Sequence, residues 1–303
     1  MARSGFFDGV TMKLEEFRLL RDLLATRTGL SFGPEAKSSV ERRLRERLSV
    51  LGISSFADYY QYLRFNPRAA SEWEEAVELL TTNETYFFRE DYQLRAFSQE
   101  VLPLLAEQAQ ARKRLVLWSA GCSTGEEAYT IAMLVLQSGL FDGWEIKILG
   151  SDISKRCITT ARRAVYGQAS FRATPPEAKR AYFIERPDGY HVVDRIRALC
   201  HFGSMNLLDE DRSRLIGRVD GIFCRNVLIY FDAHARRRTI DMFHDRLYPG
   251  GVLFLGHSES LLNVTTAFEL LHLREDLVYR KPVASRDESS AEGTALPPRK
   301  AGQ

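Results

Sequence analysis

The stretch that decides the fold is Arg114–Glu127, RLVLWSAGCSTGEE. A short apolar run ends in a loop of small residues, and a helix is predicted over 126–138 directly after it. Strand, small-residue loop, helix is the opening of an open α/β sheet, whose ligands bind at the carboxyl ends of its strands. The same unit repeats along the chain. EIKILGSD (145–152) reads as a second strand before a helix at 154–164, and DGIFCRN (220–226) as a third before a helix near 232–247. GGVLFLGHS (250–258) reads as a fourth strand. Strands alternating with helices predict a doubly wound parallel sheet.

The first loop, Ser119–Glu127, also carries chemistry. It is not GxGxxG and lacks the lysine of a phosphate-binding loop. Two carboxylates, Glu126 and Glu127, open the helix and repel a pyrophosphate. They suit a ligand with a cationic end, such as S-adenosylmethionine, which has an ammonium and a sulfonium but no phosphate. They equally suit the positive end of the helix itself. Asp152, at the end of the second strand, is placed either to accept from both ribose hydroxyls or to cap the next helix.

Upstream the pattern is helical. Residues 12–28 carry Leu14, Phe17, Leu20 and Leu24 at helical spacing, and Gly29 stops that helix. Pro34 opens a second helix with the stripe Val40, Leu44 and Leu48. Ser55 caps a third through Tyr62, and 71–81 form a fourth. No strand is predicted before Arg114. Between the second and third strands, YHVVD, LCHFG and a Pro-Pro step predict an inserted hairpin subdomain. The polar, Pro/Gly/Ser/Ala-rich stretch 283–303 reads as a disordered tail.

Composition narrows the function classes. With 42 Lys+Arg against 40 Asp+Glu among 303 residues, the net charge of +2 disfavours a dedicated nucleic-acid binder. No stretch approaches the ~18 apolar residues of a membrane span, and MARSGFFDGV has no signal-peptide core, so a cytoplasmic protein is expected. Cys122, Cys157, Cys200 and Cys224 form no CxxC and have no histidine at metal-ligand spacing. They are expected as free, buried thiols with no metal. Of six histidines, only His257 falls at a strand end.

TTNETYFFRE (81–90), FCRNVLIYF (223–231) and GGVLFLGHSES (250–260), with the two strand–loop segments above, resemble the CheR-type chemotaxis receptor methyltransferase family. The resemblance runs from about Leu14 to Arg280. It implies a Rossmann-like, S-adenosylmethionine-dependent methyltransferase domain over 112–282, with an inserted small β-subdomain at about 166–204. It also implies a small all-helical, receptor-docking domain over 12–82 and a linking segment over 83–111. The implied reaction moves methyl from S-adenosylmethionine to receptor glutamates, leaving γ-methyl esters and S-adenosylhomocysteine, for sensory adaptation. The cofactor positions that follow are Asn83, Thr85, Arg89, Glu127, Asp152, Asn206, Leu207, Asn226 and Val227, with Arg89 and Tyr230 beside the transferred methyl. Tyr86, Ala128 and the SES at 258–260 depart from common members.

The chemistry agrees with the absence of an obvious base. A glutamate with an ordinary pKa of ~4.3 is already ionised at cytosolic pH, so alignment and dehydration suffice. Arg89 is expected to hold one carboxylate oxygen while the other attacks. Its plain alternative is an ion pair with Glu90 or Asp91, and that of Tyr230 is a place in the core. Helix 34–48 carries Lys37, Arg42, Arg43, Arg45 and Arg47 among three glutamates, either a solvated face or a docking surface for an acidic helical receptor bundle. The short run IERPDGYH between Phe183 and Val192 argues against a pentapeptide tether. A non-catalytic cofactor-binding module, or a methyltransferase for another substrate, are the competing readings.

Overall fold

A computed structural model describes residues 10–283; most of the sequence's expected tail, 284–303, lies outside the described residues. Four helices come first: α1 (Leu14–Thr28), α2 (Lys37–Leu51), α3 (Phe56–Phe65) and α4 (Ala69–Leu80). Phe17, Leu20, Leu24, Val40, Leu44 and Leu48 meet Tyr59, Trp73 and Ala76 in a core of their own. Leu14, expected on the same stripe, is 45% exposed. Gly29 ends α1 at φ 81°, a left-handed cap that suits glycine. Ser55 caps α3 by accepting from Asp58 N.

A connector follows, α5 (Asp91–Ala96), a π-helical turn (Phe97–Val101) and α6 (Leu102–Ala109), leading into β1 (Arg114–Ala120). Then come α7 (Glu126–Ser138), β2 (Glu145–Asp152), α8 (Lys155–Arg163) and β3 (Val165–Tyr166). Next are α9 (Pro176–Tyr182), β4 (Phe183–Arg186), β5 (Gly189–Val192), α10 (Asp194–Arg197) and β6 (Cys200–Ser204). The chain closes with α11 (Glu210–Arg214), β7 (Val219–Cys224), α12 (Ala233–Arg246), β8 (Leu247–Leu255), β9 (Glu269–His272) and β10 (Leu277–Arg280).

Seven strands form one sheet in the order β6-β2-β1-β7-β8-β10-β9. The five from β6 to β8 run parallel and β10 runs antiparallel to both neighbours. β1 is buried on both faces, as a parallel strand must be. Leu115 and Leu117 enter the core shared with α5, α6 and α7, while Val116, Trp118 and Ala120 enter the core shared with α12. The chain leaves β1 for β2 on one side and returns to β7 on the other, so a crevice opens between the ends of β1 and β7. β3, β5 and β4 make a separate antiparallel sheet. The strand at LCHFG departs from the sequence expectation. Cys200–Ser204 is not part of the insertion but the parallel edge of the main sheet, paired with β2 from Ile148 to Asp152. Its feeding helix α10 is one turn long, too short to show a strand–helix rhythm.

The basic residues of α2 also behave differently from a docking face. Arg47 turns inward, donating from Nε and Nη2 to Glu72 at 3.0 and 2.6 Å, and Tyr59 Oη donates to the same carboxylate at 2.7 Å. Hydrogen bonding to Glu72 raises the Arg47 pKa. Arg43 donates to the Leu79 and Leu80 carbonyls at the end of α4, and Lys37 and Arg45 both pair with Glu41. Of the five, only Arg42 is exposed. Arg43 and Arg47 therefore turn into the bundle, because α4, packed directly against α2, supplies their acceptors.

Glu72 is 2% exposed and holds both Arg47 and Tyr59. Glu72→Ala leaves the buried Tyr59 hydroxyl without its acceptor and Arg47 with only Glu75, 3.9 Å away, and is expected to lower stability by roughly 3–5 kcal/mol. The shift in urea midpoint measures it; a loss below about 1 kcal/mol would show a pair no stronger than a surface one.

Candidate active site

The loop after β1 is shaped by close approach. Gly121 has φ 82°, and a Cβ built on it would lie 2.4 Å from Val227 Cγ2. Only glycine lets the loops after β1 and β7 touch here. Ser123 N donates to Asp152 Oδ2 at 2.8 Å, and Ser154 N to Oδ1 at 2.9 Å. Asp152 thus holds the loops after β1 and β2 together. Burial raises its pKa, and these two backbone donors partly offset that.

The two glutamates that open α7 part ways. Glu126 is buried under Thr124 Oγ1 (2.6 Å) and Ser170 Oγ (3.0 Å), facing the β-subdomain side. Glu127 lines the crevice, accepting from Ser119 Oγ at 2.6 Å and Arg225 Nη1 at 3.2 Å. Burial raises the pKa of both, and for Glu127 the Arg225 charge opposes the rise.

The crevice and the open solvent at its mouth together span about 1180 Å³. Its walls bring together Asn83, Thr85, Arg89, Glu127, Asp152, Asn206, Leu207, Asn226, Val227 and Tyr230, every cofactor and catalytic position expected from the sequence. The bundle closes one side through Thr28, Leu30 and Phe32. That wall is pinned: Asn206 Nδ2 donates to the Arg27 carbonyl (2.7 Å), and Ser31 N donates to the Tyr230 carbonyl (2.7 Å). On the far side of the bundle, Glu78 accepts from Ser154 Oγ and Arg156 N, at 2.6 and 3.0 Å.

The plain structural roles for Arg89 and Tyr230 do not hold. Glu90 pairs with Arg225, and Asp91 with Arg95. Arg89 donates only to the Glu84 carbonyl at 3.0 Å, and among the described residues it has no carboxylate partner. Tyr230 is 36% exposed, not a core residue. His257 is exposed and lies outside the crevice. The four cysteines are free and buried, and burial pushes the Cys122 thiol pKa up, away from nucleophilic use.

Sequence reasoning passed over Arg225, although it lies in the quoted CRNV. Its side chain is 3% exposed. Nε donates to Gln93 Oε1 (2.7 Å), Nη1 to Glu127, and Nη2 to both the Arg89 carbonyl (2.7 Å) and Glu90 Oε2 (2.9 Å). The signal available was an arginine directly after a buried strand, where a charge needs partners.

A largely parallel sheet with acidic residues beyond its first two strands and, among the described residues, no lysine in the loop after β1 is the frame of a Rossmann-like cofactor-binding domain, here with a helical bundle in front. Residues 83–277 match the family described as CheR methyltransferase, SAM binding domain, and residues 15–81 match CheR methyltransferase, all-alpha domain. Chemotaxis protein methyltransferase 2 of Vibrio cholerae is 35% identical over 280 residues, covering 92% of this chain and 96% of that protein. Chemotaxis protein methyltransferase 1 of Pseudomonas aeruginosa is 34% identical over 271 residues, covering 88% and 97%. The chain belongs to the CheR methyltransferase family, and its cofactor is S-adenosylmethionine.

The residues fit that group. Glu127 offers a carboxylate for an ammonium, Asp152 offers remaining lone pairs for ribose hydroxyls, and Asn226 has a buried Oδ1 with no donor among the described residues. Arg225, the buried arginine of the walls, is paired with Glu90 and Glu127.

Ionised Glu127 attracts an ammonium and neutral Glu127 does not, so a cofactor whose amino end sits there is expected to bind more weakly as pH drops through the raised Glu127 pKa. Arg225→Met removes the charge that holds that pKa down, so the fall begins at higher pH than in the native protein. Affinity for S-adenosylhomocysteine at neutral pH should also weaken about tenfold or more. Calorimetric titrations across pH decide this; an unmoved acid limb would show that Arg225 does not set the charge of Glu127.

Proposed function

We propose that this chain methylates glutamate side-chain carboxylates of chemoreceptors, forming γ-methyl esters. The observation that carries the reading is Arg89: a guanidinium on the wall of the crevice, with its neighbouring acids paired elsewhere. It is available to a carboxylate brought by another molecule. Bound S-adenosylmethionine supplies an electrophilic methyl on its sulfonium. Glu127 would hold the amino end, Asp152 the ribose, and Asn206, Leu207, Asn226 and Val227 the adenine side, with Asn83 and Thr85 closing from the connector.

Arg89 then binds one oxygen of the acceptor carboxylate and leaves the other to attack, displacing the thioether in line. Tyr230 Oη orients the pair. No proton moves, which agrees with crevice walls that, among the described residues, include no histidine. Arg89 must hold the acceptor without quenching it, since stabilising the nucleophile alone slows transfer. Its existing bond to the Glu84 carbonyl and its half-exposed position keep it a moderate ligand.

We read residues 12–82 as the receptor-facing part and 83–282 as the linking segment and catalytic part. With Arg43 and Arg47 turned inward, the docking face of α2 reduces to Arg42 and the half-buried Lys37 and Arg45. The β4–β5 connection is a two-residue turn, Pro187-Asp188, which supports a receptor contact without a pentapeptide tether. Four buried free thiols fit a reducing cytoplasm.

Arg89→Ala is expected to leave S-adenosylhomocysteine affinity mostly intact while lowering methyl transfer at least about a hundredfold. The assay is base-labile label on receptor cytoplasmic fragments from methyl-labelled cofactor. Equal losses of affinity and turnover would make Arg89 a cofactor anchor. Cofactor binding by the native protein with no transfer to any fragment would favour a non-catalytic module.

A further inference from the structure

We infer that Glu259 is a positioning residue: its carboxylate holds the loop Asn226–Tyr230 in the shape that presents Asn226 and Val227 to the cofactor and Tyr230 to the acceptor. Oε2 accepts from Asn226 N at 2.8 Å and Gly256 N at 2.7 Å. Oε1 accepts from Val227 N at 2.9 Å and Ile229 N at 3.1 Å. Four backbone N–H groups converge on one side chain, and among the described residues no Lys, Arg or His pairs with it. The negative charge is met by backbone dipoles alone, as in an anion-binding nest.

Little else shapes the loop. Asn226 sits at φ 60°, in the left-handed region that asparagine enters most readily after glycine, and the loop's one regular piece is the single 3-10 turn Leu228–Tyr230. Room for the carboxylate is made from the other side. A Cβ on Gly256 would lie 2.7 Å from Asn226 N and 2.8 Å from Glu259 Oε2. The loop cannot drift unnoticed either, because Val227 packs onto Gly121 and the Tyr230 carbonyl receives Ser31 N.

The chemistry demands a carboxylate rather than an amide. Both oxygens face two N–H donors each, so glutamine puts its own NH2 against two of them whichever way it turns. Glu259→Gln should therefore speed hydrogen exchange at the amides of Asn226, Val227 and Ile229 and weaken S-adenosylhomocysteine binding about tenfold. Turnover should drop about tenfold in the native background but less than about twofold in Tyr230→Phe, since the effect on chemistry runs through that hydroxyl. Gly256→Ala, which presses on the same knot from the opposite side, should give the same pattern and is read in its place where Glu259→Gln does not fold. The turnover arm rests on the glutamate-methylation reading, but the exchange and affinity arms do not. Native protein that labels no receptor fragment defeats that reading and leaves Glu259 to be decided by exchange and affinity. A folded variant with native exchange and native affinity overturns the proposal, as do equal turnover losses in both backgrounds.

Discussion

The buried guanidinium of Arg225 is the interaction on which the site depends. It stands one residue beyond β7 and reaches back to the connector, where it gathers the Arg89 carbonyl, Glu90, Gln93 and, across the crevice, Glu127. A cation this deep is tolerable only with its donors met, and every partner it has belongs to a segment that lines or supports the cofactor crevice. Three residues beside the network, Phe88, Glu90 and Asn226, have positive φ although none is glycine. Local strain of this kind persists where surrounding contacts over-determine the backbone. The connector is thus fixed in an unfavourable local shape, and that shape turns the Arg89 side chain to the crevice while its carbonyl stays with Arg225.

Charge follows from the same arrangement. Burial works against ionisation at Glu127 and Asp152, and each is kept competent by a specific opponent: a guanidinium for the first, two backbone N–H groups for the second. Glu126 has no such charged opponent and faces away, which is why two adjacent glutamates of identical chemistry have different uses. The crevice is in consequence acidic where a cationic ligand's end would sit and cationic only at Arg89, where a carboxylate would arrive. A reaction between an ionised carboxylate and a sulfonium needs that separation more than it needs a base.

The sequence made the sheet legible where strand and helix alternate with full-length elements. α7 and β2 occupy the residues read for them, 126–138 and 145–152, because apolar runs and small-residue loops are local signals. β6 was hidden because its identity as an edge strand depends on pairing with β2, a contact between distant segments. The same limit explains α2. Periodicity gave the buried stripe correctly, but whether Arg47 faces water depends on Glu72, on another helix. The crevice residues were reached through motif resemblance, and the structure gathers them. Arg225 and Glu259 stood inside quoted motifs, yet their work lies in hydrogen bonds to other segments, which a linear reading does not contain.

Those long-range bonds also change what the helical bundle is. Its core is its own, and by packing alone it is an appendage. Yet the end of α1 supplies a wall of the crevice, Leu30 bridges to Phe231, and Ser31 N holds the carbonyl of Tyr230. A Cβ on Gly29 would lie within 3.3 Å of Leu208, Phe231 and Ala235, so the cap of α1 is fitted to the catalytic part. The loop that carries Tyr230 is therefore held from two directions, by Glu259 from behind and by the bundle from in front. A partner docking on the bundle would press on an element bonded to the Tyr230 backbone. The bundle is then part of the crevice's frame, and the loop Asn226–Tyr230 is tied to it by one continuous set of contacts.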